Sequence, residues 1–130
     1  GHIHGKDGIY AASLLVEMIA VSGKKLSEIA EDIRKEYGEI HMEERAYRFT
    51  LEEKERIQKV LMEDKGLPEL PFAADHVSYL DGCKVYFQNG GWVSARFSGT
   101  EPLLRIFCEM ETEHEAVQVC EIFEEYLHLR

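Results

Sequence analysis

Apolar residues near the start of the chain recur every three or four positions, which is the spacing of an amphipathic helix. Two such segments, 9–19 and 26–37, predict two short helices. Asp7 stands where the first helix needs an N-cap, Ser22-Gly23 ends that helix, and Gly38 ends the second. Because two isolated helices give their apolar stripes little to pack against, this pattern predicts the edge of one domain followed by a connector.

After Gly38 the apolar spacing shortens and turn residues become frequent. Residues 41–49 alternate loosely and predict a strand, and the capping box of Thr50 and Glu53 predicts a helix that runs to Lys65-Gly66. Further short strands are predicted, separated by the turn sequences Asp81-Gly82 and Asn89-Gly90-Gly91, at 77–80, 84–88, 92–97 and 103–109.

A last helix begins at a second capping box, Thr112 with Glu115, and the acidic residues within 121–125 are expected on its solvated face. The order β-α-β-β-β-β-α predicts an α+β fold, an antiparallel sheet of four to five strands with helices packed on one face. The two leading helices are predicted to be separate from it, so the domains are 1–37 and 38–130.

Composition narrows the possible functions. The chain has 15 basic and 25 acidic residues, a net charge of −10, which argues against nucleic acid or an acidic membrane as a partner. Cys83, Cys108 and Cys120 are odd in number and widely spaced, which indicates reduced thiols in the cytosol. No apolar run approaches the roughly 20 residues of a membrane span. The chain begins with Gly1 and not Met, and we expect it to have been cut from a longer protein.

The most informative segment lies between the last two predicted strands. Arg96 and Arg105 flank it, and each guanidinium can bind two phosphate oxygens at once. Ser98 and Thr100 offer hydroxyl donors, and Gly99 allows a sharp turn that would present consecutive N–H groups to an anion. These donors predict an anion site in an otherwise acidic molecule.

Glu101 is unexpected in a phosphate site, and we expect its carboxylate to turn away and pair with an arginine. The alternative is a purely structural polar hairpin, whose arginines pair with some of the many acidic residues. Turns are commonly built from these residue types, so composition alone leaves that alternative open.

The segment reads Arg-x-Ser-Gly-Thr-Glu-Pro-x-x-Arg over 96–105 and resembles the C-terminal phosphate-binding loop of the α-D-phosphohexomutases, the family of phosphoglucomutase and phosphomannomutase. Asp81-Gly82-x-Lys84-Val85 and Gly90-Gly91-Trp92 also resemble that family's last domain. The segment His2-Ile3-His4-Gly5-Lys6-Asp7-Gly8 resembles the family's His-Ile-x-x-Lys-Asp-Gly motif. Two motifs in the right order, near opposite ends of the chain, are more specific than either alone.

The resemblance implies that 1–37 is the end of the third, sugar-binding domain with a linker helix, and that 38–130 is the TBP-like C-terminal domain. It implies that Arg96, Ser98, Gly99, Thr100 and Arg105 hold the non-reacting phosphate of a hexose phosphate, and that Lys6 contacts the substrate. In this family a phosphoserine exchanges phosphate with the sugar between its 1- and 6-positions. Mg²⁺ and a hexose 1,6-bisphosphate are implied for the full-length enzyme.

The sequence lacks the family's Thr-x-Ser-His-Asn-Pro serine loop, its Asp-x-Asp-x-Asp metal loop and its Gly-Glu-x-Ser sugar loop. We therefore expect no catalytic residue, no metal site and no activity in this chain alone, and expect the other domains of the parent enzyme as its partners. Two alternatives stay open: the C-terminal domain of a phosphoglucosamine mutase, and a non-catalytic α+β interaction module.

Overall fold

The structure, a computed structural model, describes residues 5–129 and divides into two units, 1–39 and 40–130. In chain order the elements are α1 (Gly8–Ser22), α2 (Leu26–Tyr37), β1 (His41–Arg48), α3 (Leu51–Gln58), a π-helical turn (Lys59–Glu63), β2 (Ala74–Ser78), β3 (Cys83–Phe87), β4 (Trp92–Phe97), β5 (Leu103–Met110) and α4 (Glu113–Tyr126).

The first unit consists of α1 and α2. The Asp7 side chain accepts a hydrogen bond from the N–H of Tyr10 at 2.9 Å, which confirms the predicted N-cap. Gly23 ends α1 with φ of +64°, a conformation that costs glycine little. Neither helix contains a buried residue, and Ile9 and Val21 are 84% and 82% exposed. The apolar stripes of α1 and α2 thus remain uncovered within residues 5–129.

The second unit is a five-stranded antiparallel sheet in the order β1-β5-β4-β3-β2, with its helices on one face. This confirms the predicted α+β class. Alternate residues of β3 and β5 are buried, and α4 packs across β5 and β1. The core comprises the apolar residues Ile57, Leu61, Cys83, Val85, Phe87, Val93, Ala95, Leu104, Ile106, Cys108, Met110, Ala116, Val119, Cys120, Phe123 and Leu127.

Both predicted capping boxes are present. Thr50 accepts from the N–H of Glu53 at 3.3 Å while the Glu53 carboxylate accepts from the N–H of Thr50 at 2.6 Å. Thr112 and Glu115 make the same reciprocal pair at the start of α4. These caps fix where α3 and α4 begin, and the predicted starts of both helices are confirmed.

One predicted boundary was wrong. The strand expected at 77–80 is β2, which begins at Ala74 and ends at Ser78, and Leu80 is 98% exposed in the connection that follows. The exposed first half of this edge strand has no apolar alternation to reveal it.

The helix predicted to run to Lys65-Gly66 ends close to that point. Its second part is the π-helical turn, where the N–H of Asp64 bonds the carbonyl of Lys59 at 2.9 Å.

The solvated face predicted for 121–125 was also wrong at one residue. Glu124 is only 2% exposed, and its carboxylate accepts hydrogen bonds from the guanidinium of Arg45 and the hydroxyl of Tyr47 on β1. The two partners come from a strand nearly 80 residues away, so helical periodicity within α4 gives no sign of them. Glu124 is therefore part of the contact between α4 and the sheet.

Candidate functional site

Arg96 and Arg105 are direct cross-strand partners in the β4–β5 hairpin, and the next pair is Phe97 with Leu104. Since successive side chains of a strand point to opposite faces, the two arginines share one face and Phe97 with Leu104 share the other. Leu104 is fully buried in the core. Both guanidinium groups therefore lie on the face of the sheet that is turned away from the helices.

Each arginine is held by carboxylates. Arg96 Nη1 lies 2.7 Å from Asp81 Oδ2, and the two side chains are 47% and 72% exposed. Arg105 Nη1 lies 3.3 Å from Glu44 Oε1, and its Nη2 lies 3.6 Å from Glu101 Oε2. The expectation that Glu101 would pair with an arginine is confirmed. Because ion pairs between exposed side chains contribute about 0–1 kcal/mol, a phosphate dianion can compete for these guanidinium groups.

The 98–102 loop joins the two strands and is organised by Ser98. Its N–H bonds the carbonyl of Leu103 at 2.8 Å, which closes the hairpin. Its Oγ accepts from the N–H groups of Thr100 and Glu101 at 3.4 and 3.3 Å. The Ser98 hydroxyl thus acts as an acceptor toward the loop, and its O–H proton stays available as a donor.

The chain bends at Gly99, as predicted, although φ is not positive there. The prediction that the turn would present consecutive N–H groups to an anion was wrong, because the N–H groups of Thr100 and Glu101 bond the Ser98 oxygen. A Cβ added to Gly99 would meet no atom within 4 Å, so its backbone borders open space, and its N–H has no partner within the described residues.

An open depression of about 400 Å³ lies on one side of this loop. Its lining includes Ser98, Gly99 and Thr100, with Phe49, Leu51, Lys54, Glu101 and Pro102. Arg96 and Arg105 are not part of its lining. The structure thus brings the two hydroxyls and Gly99 together around one depression, and brings the two arginines together on the outer face of the hairpin.

Sequence reasoning missed two kinds of residue here. Asp81 was read only as part of a turn, and Glu44 carried no signal, because their pairing with arginines depends on strand order. Lys54 was read only as a helix residue. The sequence shows that Lys54 lies four residues after the N-cap Thr50. Nothing in the sequence places that helix beside the 98–102 loop.

Lys6 belongs to the first unit, where it is exposed and immediately precedes the capping residue Asp7. The motif that contains it begins at His2, and residues 1–4 lie outside the described part of the chain. The role that the resemblance implies for Lys6 stays a prediction.

Three further features of the described residues bear on function. Within 5–129, His, Cys, Asp and Glu side chains form no group of three or more that could hold a metal ion. The helices described are all too short or too polar to cross a membrane. The three cysteines are free and buried.

Comparison with known proteins identifies the family to which this fold and hairpin belong. Residues 40–125 match the phosphoglucomutase/phosphomannomutase C-terminal domain, and residues 1–37 match alpha/beta/alpha domain III of the same family. The chain belongs to the phosphoglucomutase/phosphomannomutase family. The resemblance found in the sequence is thereby confirmed.

Curated relatives agree with that assignment. The chain is 35% identical over 123 residues to a phosphoglucomutase/phosphomannomutase of Thermococcus kodakarensis, covering 91% of this chain and 24% of the relative. It is 32% identical over 119 residues to a probable phosphoglucosamine mutase of Methanopyrus kandleri, covering 90% and 24%. A phosphoglucosamine mutase of Geobacillus kaustophilus is 32% identical over 108 residues, covering 82% and 20%. The chain therefore spans a quarter or less of the length of each of these three relatives.

Proposed function

We propose that this chain is the phosphate-holding C-terminal part of a phosphohexomutase. In this proposal the β4–β5 hairpin binds the phosphate of a hexose phosphate that is not reacting, while a phosphoserine in another domain exchanges phosphate between the sugar's 1- and 6-positions. The observation that carries the proposal is the direct pairing of Arg96 with Arg105 at the base of a loop that offers two hydroxyls and the N–H of Gly99.

The chemistry of the hairpin supports an anion as its ligand. Two like charges in one cross-strand pair repel each other unless an anion lies between or beside them. The present partners Asp81, Glu44 and Glu101 are each more than half exposed, so little free energy opposes their replacement. A bound phosphate would accept the guanidinium N–H groups two at a time, a stronger interaction than either exposed pair.

The hairpin would act by positioning. Phosphoryl transfer depends mainly on holding the reacting groups in line and on stabilising charge. A domain that fixes the distant phosphate orients the sugar and helps to exclude water. We propose that Lys6 contributes a second contact to the same substrate, as a point charge on a long stem.

Mg²⁺ and a hexose 1,6-bisphosphate belong to the proposed full-length enzyme. The described residues offer no group that fits a magnesium ion, so we assign the metal to other domains of the parent protein. Because the sequence lacks the family's Thr-x-Ser-His-Asn-Pro loop, we assign the phosphoserine to another domain as well, and we expect this chain alone to be inactive.

The relatives named phosphoglucosamine mutase support a second substrate for the same hairpin, a glucosamine phosphate. Both substrates would present a phosphate to the loop, so phosphate binding at the hairpin fits either one. A non-catalytic role has its own support, because carboxylates already pair with both arginines.

Titration of the 130-residue chain with inorganic phosphate, followed by ¹H–¹⁵N NMR, separates phosphate binding at the hairpin from the non-catalytic role. We expect the amide signals of 98–100 to shift in wild type and to stop responding in Arg96→Ala. Shifts confined to the helices, or none, would favour the interaction module. A coupled assay for conversion of glucose 1-phosphate to glucose 6-phosphate should show no turnover, and turnover above the blank would contradict the assignment of the phosphoserine to another domain.

A further inference from the structure

Lys54 is held beside the 98–102 loop by the junction of β1 and α3. The N–H of Phe49 bonds the carbonyl of Pro102 at 3.4 Å, and the Phe49 and Phe97 rings meet edge to face with centroids 5.3 Å apart. The N–H of Lys54 bonds the carbonyl of the N-cap Thr50 at 3.0 Å. The backbone of Lys54 therefore has a fixed position relative to the hairpin.

The side chain of Lys54 runs along the core side of that hairpin. Its Nζ lies 5.7 Å from the centroid of the Phe97 ring, and the residue is half-buried. Within the described part of the chain it has no carboxylate within ion-pair distance, whereas Arg96 and Arg105 both do. A half-buried cation without an acidic partner is notable in a chain of net charge −10.

The position of Lys54 within α3 is also unfavourable for a cation. It lies in the first turn of α3, where the aligned peptide dipoles disfavour a cation by a few tenths of a kcal/mol. The same dipoles favour an anion nearby. Lysine forms helices well and its ammonium gains a weak cation–π contact with Phe97, but neither gives the ammonium an acidic partner. A bound anion would supply the partner that the ammonium lacks among the described residues.

Donors from the loop share the depression that Lys54 lines. They are the O–H groups of Ser98 and Thr100 and the N–H of Gly99. The one acidic side chain in that lining, Glu101, is engaged by Arg105. The depression thus gathers one ammonium, two hydroxyls and an amide, a set that suits the oxygens of a phosphate.

We propose that Lys54 is a further phosphate-binding residue and that it contacts the ligand from the core side of the hairpin. This inference rests on the proposed function, and it adds a cation that the resemblance does not supply. In this arrangement the ligand would contact Lys54 and the loop donors on one side of the hairpin, and Arg96 and Arg105 on the other.

The test uses the 130-residue chain, inorganic phosphate as the probe and the amide signals of 98–100 as the readout. Lys54→Met keeps the aliphatic stem over Phe97 and removes the charge, and Lys54→Arg keeps the charge. Lys59→Met is the matched control, because Lys59 is exposed one turn further along and changes the net charge equally. We expect roughly fivefold weaker phosphate binding in Lys54→Met, and binding near wild type in Lys54→Arg and Lys59→Met.

The possible failures are distinct. If Lys54→Met and Lys59→Met bind phosphate equally well while Arg96→Ala does not respond, the inference about Lys54 is wrong and the proposed function stands. If wild type itself shows no shift at 98–100, the proposed function fails first. Superimposable amide spectra of the free variants, apart from signals near Phe97, establish that any loss comes from the missing charge.

Discussion

Arg96 and Arg105 face each other directly across β4 and β5, so the hairpin places two positive charges in one cross-strand pair. Like charges in that position destabilise a sheet by roughly 0.2–1 kcal/mol. The surrounding carboxylates offset part of this repulsion, but all of them are exposed. The arginine pair lowers the stability of the free protein, and a bound anion would remove the repulsion between the two charges.

Replacing Arg96 by Gln should therefore separate stability from binding. We expect the free energy of unfolding to change by less than about 0.5 kcal/mol, because lost repulsion and the lost pair with Asp81 nearly cancel. Phosphate binding should fall at least tenfold, because a bidentate donor is lost. Urea unfolding and the phosphate titration measure the two quantities. A large loss of stability with unchanged binding would show that the arginine pair serves the fold.

Two glycines near the hairpin should respond in opposite ways to alanine. Gly82 has φ of +83°, and an added Cβ would lie 2.5 Å from the Ala95 carbonyl oxygen and 2.7 Å from Arg96 Cβ. We expect Gly82→Ala to destabilise the fold by about 2–3 kcal/mol. Gly99→Ala should leave stability within about 0.5 kcal/mol of wild type, since its Cβ meets nothing within 4 Å.

Gly99→Ala should nevertheless weaken phosphate binding severalfold, because the methyl group would occupy the space through which a ligand approaches the Gly99 N–H. Thermal unfolding of both variants and phosphate titration of Gly99→Ala check the contrast. Normal binding by Gly99→Ala would mean that the ligand stays away from this backbone.

The elements that sequence patterns predicted well are those with local causes. Asp7, the pair Thr50 and Glu53, and the pair Thr112 and Glu115 cap their own helices, so the information lies within a few residues. The strand β5 was likewise predictable, because every second residue from Leu104 to Met110 is apolar and buried. In these segments local propensity and the burial pattern favour the same secondary structure, so the elements can be predicted from the sequence.

Features that depend on distant contacts were not predictable in the same way. The buried state of Glu124 depends on Arg45 and Tyr47, which the sheet order brings beneath α4. Lys54 approaches the loop only because β1 pairs with β5, so that Phe49 comes next to Pro102. The candidate site itself was named from one segment, 96–105, but its present ion pairs and its core-side lysine come from three other elements.

Glu124 should be among the most sensitive residues in the second unit. Its carboxylate is buried between α4 and β1, and neutralising it in Glu124→Gln leaves the half-buried Arg45 guanidinium with the Glu43 carboxylate, which is on β1 and does not join the helix to the sheet. We expect a loss of about 3 kcal/mol in the free energy of unfolding. The matched control is Glu125→Gln on the exposed face of the same helix, which should change stability by less than about 0.5 kcal/mol. Equal effects of the two substitutions in urea unfolding would show that the buried pair contributes nothing.

Stability should also fall at alkaline pH, because burial raises the pKa of the fully buried Cys83 thiol from 9.0 to about 11. The folded state then holds this proton more tightly than the unfolded state. The resulting stabilisation is complete below pH 9.0 and disappears as the pH rises to about 11. Burial, followed by the Glu124 contact, raises the pKa of Tyr47 to about 12, which extends the same trend to higher pH. The thiol alone should account for a loss on the order of 2 kcal/mol.

Cys83→Ala isolates that contribution. The variant should be less stable than wild type near neutral pH, because it loses the buried sulfur atom. The difference between the two proteins should shrink as the pH rises, since only wild type has the thiol to ionise. Apart from Tyr79, whose pKa burial and then the Cys83 thiolate raise, other groups titrate alike in both proteins and cancel in the difference. Urea unfolding at several pH values between about 8 and 11 measures it, and a difference that stays constant across that range would mean that Cys83 ionises as easily in the folded chain as in the unfolded one.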